Sequence, residues 1–188
     1  MSRIPWDTRR LGSETVHLRR QDRLRAAVHG IHQGRPSWPR VATRNNQAVT
    51  VRLKGRRRAV RAVLDDVRTW AAERDDVQAV VLVGSYARHA ERMGSDVDLM
   101  VLTDEPDRVA DSEWFEILRP GARLIRAMNW GPVRERRMRL RSGLQVELGI
   151  APISWAAVPL DAGTQRVLSD GHRVNYDAGV LATAVAAL

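Results

Sequence analysis

One stretch constrains this chain more than any other. Val80-Val81-Leu82-Val83 is a short, β-branched apolar run that ends at Gly84-Ser85. A second run, Val97 to Leu102, follows Met93-Gly94-Ser95 and carries Asp96 and Asp98 at its head. The pattern predicts strand, turn, short helix, turn, strand. Gly84 stands where the backbone must turn sharply or approach a ligand closely. Ser85 is expected to cap the short helix with its hydroxyl. Residues two apart on a strand share a face, so Asp96 and Asp98 point the same way. Two like charges held together call for a cation, and a hard, oxygen-seeking ion such as Mg²⁺ suits carboxylates and phosphates together.

The order and spacing of Gly84, Ser85, Ala87, Arg88, Ser95, Asp96, Asp98 and Leu99 resemble the signature of the nucleotidyltransferase superfamily. That superfamily includes DNA polymerase β and the aminoglycoside nucleotidyltransferases. One departure is His89, where small members often have Gly. The resemblance covers about residues 60–188 and implies an α/β (α+β) fold, a mixed sheet with helices packed on it. It also implies two Mg²⁺ ions and a nucleoside triphosphate, with ATP the expected one. Asp96 and Asp98 are the implied metal ligands, and Gly84, Ser85, Arg88 and Ser95 the implied nucleotide contacts. The superfamily carries a third carboxylate on a later strand. Glu147, mid-strand in Leu144 to Ile150, is the candidate for it, with Glu135 the runner-up among crowding arginines.

Charge divides the chain. Residues 1–60 hold 15 Lys+Arg against 3 Asp+Glu, whereas the remainder is slightly acidic. Residues 1–54 show no sustained apolar period and are expected to be a disordered or loosely packed basic segment. Their arginines could touch nucleic-acid phosphates. The change of character near residue 55 also fits a translation start downstream of Met1.

Residues 55–188 are expected to form the domain. Val60, Val63, Leu64, Val67, Trp70 and Ala71 mark one face of a helix at 55–74. Strands are expected at 79–84 and 96–103, with a short helix at 85–92 between them. A helix capped by Ser112 ends at Pro120-Gly121. Strands at 123–130, 133–140 and 144–150 follow, the last two joined by a Ser142-Gly143 turn. A helix capped by Asp161, a strand at 172–176 and an Ala/Val/Leu helix at 178–188 complete the chain.

Several chemistries are excluded. The chain has no cysteine, so it has no disulfide and no thiolate metal site. It lacks the glycine-rich loops of P-loop and Rossmann proteins. His17, His29, His32, His89 and His172 are not spaced as zinc ligands. No apolar run approaches the ~20 residues of a membrane helix, and Met1 to Arg10 lacks a signal-peptide core. These exclusions make a soluble, cytoplasmic protein the expectation, and the resemblance implies a transferase acting on a nucleoside triphosphate and an unidentified acceptor. The alternatives are an antitoxin-type protein that binds or modifies a partner protein, or a nucleic-acid-binding module using the basic arm.

Overall fold

Four small side chains fasten the first helix to the sheet. Val60, Val63, Val67 and Ala71 recur at helical spacing and are all buried, and each valine contributes about 1.5–3 kcal/mol by leaving water. Arg61, Asp65 and Arg68 on the other face are exposed. A computed structural model describes residues 42–188, with side chains from Arg52 onward. The expectation for residues 1–41 lies outside the described residues. Helix α1 spans Ala42–Ala72, so it starts ahead of the expected residue 55. Ala42, Gln47, Ala48, Leu53 and Lys54 are good helix formers, and no proline interrupts them after Pro39. Residues Ala48–Leu188 group as one unit.

Six strands follow: β1 (Val77–Val83), β2 (Val97–Thr103), β3 (Arg123–Trp130), β4 (Val133–Arg139), β5 (Gln145–Pro152) and β6 (Arg173–Asp177). Their order across the sheet is β3-β4-β5-β2-β1-β6. Every neighbouring pair is antiparallel except β2 and β5, which run parallel. Short helices α2 (Gly84–Ala87), α3 (Pro106–Val109), α4 (Glu113–Leu118), α5 (Ala162–Ser169) and α6 (Leu181–Ala186) fill the connections.

The sheet has two buried layers. On one face Val80, Leu82, Leu99, Val101, Met138, Val146, Leu148 and Ile150 form a cluster with α1, Tyr86, Val109 and Phe115. Trp70 and Trp114 stack at 3.6 Å between centroids, pinning α1 to α4. The opposite face carries Val81, Met100 and Ala151, which are also buried. Central strands β1, β2 and β5 are therefore apolar on both sides, as strands covered by two layers must be.

The elements read from the sequence are present with shifts at the ends, and α3 and a 3-10 turn at Ile153–Ala156 are additional to them. One capping expectation fails. Ser112 is buried, left-handed (φ 55°) and makes no side-chain cap to α4. The tight α3–α4 link uses its backbone instead: its N–H donates to Val109 and its carbonyl accepts from Phe115. Asp161 does cap α5, accepting from the backbone N–H groups of Gly163 and Thr164.

The turn from α1 into β1 is tied by Asp76. Arg74 donates to both of its carboxylate oxygens, at 2.8 and 2.6 Å, and Thr103 Oγ1 donates to its carbonyl at 2.6 Å. The hydrogen bond from Arg74 is the largest of the influences that hold the Asp76 carboxyl below its ordinary 3.8. A lowered folded-state pKa stabilises above the unfolded value and is lost as pH falls through the folded one. Asp76→Asn is expected to cost about 1 kcal/mol at pH 7. In urea melts the gap to wild type should close as pH drops below the usual carboxylate range; a gap unchanged at pH 3 would contradict this.

Candidate active site

The site is assembled where β1 ends. Val83, the last residue of β1, pairs with Asp98 on β2. The chain then turns through Gly84, whose φ is +69°. A Cβ built on Gly84 would overlap the Asp98 carboxylate. Glycine is therefore required twice, for the left-handed backbone and for the space Asp98 occupies. Ser85 lies inside the first turn of α2, which has no side-chain cap. The expected Ser85 cap is not made, because the helix already starts at Gly84.

Parallel pairing brings the third acid alongside. Asp98 on β2 is the registered partner of Glu147 on β5, so the two side chains share a face. Asp96, two residues before Asp98 and just ahead of β2, is half-buried like Asp98, whereas Glu147 is only 1% exposed. The next strand supplies a counter-charge. Arg137 on β4 is the registered partner of Glu147, and its Nη2 donates to Glu147 Oε2 in a close ion pair. Burial opposes the charge on Arg137. The hydrogen bond to Glu147, followed by the attraction of Glu147, Asp96 and Glu135, outweighs it and raises the guanidinium's pKa further.

Glu135 continues this polar row and is 2% exposed. It accepts from Trp130 Nε1 at 2.9 Å and pairs with Arg126 at 3.3 Å. Arg137 lies 3.9 Å from its Oε1. Asp96, Asp98, Glu147, Glu135, Arg137 and Arg126 thus form one ionic band at the end of the sheet.

These residues lie within a recognised domain. Residues 64–155 match the family model described as "Nucleotidyltransferase domain". The chain carries a nucleotidyltransferase domain. No curated protein matches it. Among solved structures, the Cid1 poly(U) polymerase crystal structure is similar at 20% identity and a TM-score of 0.37. The match covers 48% of this chain and 28% of that one.

The other residues singled out in the nucleotidyltransferase motif sit around the same turn. Ser95 Oγ accepts from the backbone N–H of Arg92 at 2.9 Å, closing the turn that delivers Asp96. Arg88 is exposed, and its Nη1 donates at 3.5 Å to the carbonyl of Asp170, just ahead of β6. Arg56 and Arg137 were not anticipated. Arg56 donates to Tyr86 Oη at 3.1 Å and to the Ser95 carbonyl at 2.6 Å. It braces α2 and the Asp96 turn against α1. Counting outward from the expected two-residue Ser142-Gly143 turn would pair Met138 with Glu147; the turn instead holds three residues, with the Leu140 N–H donating to the Leu144 carbonyl, and this brings Arg137 opposite Glu147.

A divalent ion fits part of this set. Asp96 and Asp98 are the hard oxygen donors that Mg²⁺ prefers. Glu147 is engaged by Arg137, and among the described residues no three His, Cys, Asp or Glu side chains stand together as a metal group.

Gly84→Ala tests the crowding at the turn. The left-handed backbone alone costs about 1–2 kcal/mol, and the new methyl must push Asp98 aside. A lower melting temperature is expected in thermal unfolding, together with weakened Mn²⁺ binding. Unchanged values for both would show that Asp98 does not rest on Gly84.

Proposed function

We propose that this domain transfers a nucleoside monophosphate from a nucleoside triphosphate, with ATP preferred, to a hydroxyl acceptor. The acceptor oxygen bonds to the α-phosphorus, the bond from that phosphorus to the β-bridging oxygen breaks, and pyrophosphate leaves with the electron pair. The observation that carries this reading is the lateral pairing of Asp98 with Glu147, beside Asp96 and the Gly84 turn.

In this reading Asp96 and Asp98 hold Mg²⁺, two ions being expected with the triphosphate bound. Mg²⁺ supplies charge neutralisation at the attacking and leaving oxygens. Glu147 is the third acid, ligating the second ion or taking the acceptor's proton. Backbone N–H groups at Gly84 and Ser85 face the β- and γ-phosphates, with Ser95 shaping the turn and Arg88 available to the same anion. The ionic band excludes apolar acceptors from the immediate site.

A second reading is nucleotide binding without turnover, as in an antitoxin-type partner or modifier of another protein. One observation favours it: the third acid is already engaged by Arg137. The wild-type chain and Asp96→Asn, incubated with each labelled triphosphate and Mg²⁺, separate the two. Pyrophosphate release from wild type is expected, falling about 100-fold or more in the variant and stopping when EDTA removes the metal. Equal release from both proteins would overturn the assignment of Asp96. Triphosphate bound without release from wild type would favour the second reading.

A further inference from the structure

We propose that a cavity on the helix-covered face of the sheet is a second ligand site, built for a small organic phosphate. It measures about 470 Å³ and lies between α1, the end of α2 and the start of β6. Small-molecule sites fall in a range of roughly 300–1,000 Å³. Leu82 in its wall belongs to the core cluster under α1. Asp98 pairs with the next residue, Val83, and successive residues of a strand face opposite ways. The cavity and the acidic band therefore lie on opposite faces of the sheet, and the proposal does not depend on the transferase reading.

Three observations carry it. First, the lining is cationic and only partly compensated. Arg57, Arg61 and Arg173 line the cavity against one acid, Glu91. Arg57 engages that acid, its Nε donating to Glu91 Oε1 at 2.5 Å. Among the described residues neither Arg61 nor Arg173 has an ion pair. Two uncompensated guanidiniums at one concavity focus their field on an anion, and the guanidinium fork matches phosphate oxygens. Second, part of the wall is apolar. Leu64 is half-buried, and Tyr86 is held in place by Arg56 Nε, which donates to its Oη at 3.1 Å. Cations beside apolar surface select an anion with an organic body over a bare ion. Third, His89 lines the same cavity with a left-handed backbone, φ 55°. Glycine would hold that conformation without strain. A histidine kept there places an imidazole at the cavity, and strain of this kind clusters at ligand sites.

The two guanidiniums come from elements far apart in the chain. Arg61 is on α1, and Arg173 is the registered partner of Leu82 at the start of β6. β6 is an edge strand that pairs only with β1 in the sheet. A phosphate shared by Arg61 and Arg173 ties that edge to α1, with the organic body against Leu64 and Tyr86 and the His89 imidazole donating to the same anion. Binding therefore also raises the melting temperature, because the ligand favours the folded chain.

The test is calorimetric titration of the full chain, in EDTA, with AMP, ribose 5-phosphate and inorganic phosphate. Wild type should bind AMP saturably and at least about tenfold more tightly than inorganic phosphate, the organic body supplying the difference. Ribose 5-phosphate separates the two sources of that body: affinity equal to AMP identifies a sugar phosphate, and weaker affinity identifies a nucleoside phosphate. Arg61→Gln and Arg173→Gln should each weaken AMP binding about tenfold, the loss of one charge-assisted hydrogen bond. His89→Gly, which suits the left-handed backbone, should weaken it severalfold. Circular dichroism confirms that the variants are folded. No saturable AMP binding by wild type, AMP binding no tighter than inorganic phosphate, or binding unchanged in both arginine variants would each overturn the proposal. Pyrophosphate release with Mg²⁺ keeps the two sites apart. It should be unchanged in Arg61→Gln and Arg173→Gln; its loss together with AMP binding would place these arginines at the acidic site and overturn the second one. Absence of release from wild type would remove the transferase reading and leave this proposal standing.

Discussion

Seven consecutive residue pairs, from Val97↔Val146 to Thr103↔Pro152, join β2 to β5 in parallel. A parallel pair cannot be closed by a hairpin, so the chain between them must leave the sheet and return. Here that passage contains α3, α4 and the β3–β4 arm. The register is held by apolar residues: Val97, Leu99 and Val101 on β2, and Val146, Leu148 and Ile150 on β5, all buried on the helix face. Because side chains alternate, the same register that buries these six residues places Asp98 beside Glu147 on the other face. A slip of one residue would bury the acids under α1 and expose the valines. Apolar packing on one side of the sheet thereby positions charge on the other.

The ionic band is costly by the same logic. Glu147 and Glu135 are almost wholly buried, and a buried carboxylate is tolerable only with partners in place. Arg137 and Arg126 are those partners. A pair of this kind contributes little to stability compared with apolar residues of similar size, while removing one member is strongly destabilising. Its value to the domain is geometric. The arginines keep two buried acids on the sheet face that carries Asp98, where an apolar core would have left none.

Around that band the backbone is specialised at few points. Gly84 yields its side-chain space to Asp98, and Arg56 ties α2 and the Asp96 turn back to α1. A second guanidinium on α1, that of Arg57, crosses to Glu91 in the same loop, so two adjacent arginines join the helix to the acidic edge.

Much of this was legible in the residues. The 3.6-residue spacing of Val60, Val63, Val67 and Ala71 marks the buried helix face, because periodicity is a local property. Gly84, Asp96 and Asp98 declare the turn and the paired acids, because they lie within fifteen residues of one another. The mixed sheet follows from the resemblance that those residues carry. Other features were not legible. The start of α1 at Ala42 lies in a stretch without apolar period, and Ser112 reads as a cap although its backbone is left-handed. The engagement of Glu147 by Arg137 depends on two strands meeting in register. The sequence by itself determined which acids are present and which strand each occupies. Only the tertiary structure decided that the third acid stands between an aspartate and an arginine, because that neighbourhood is set by pairing between strands nearly fifty residues apart in one direction and ten in the other.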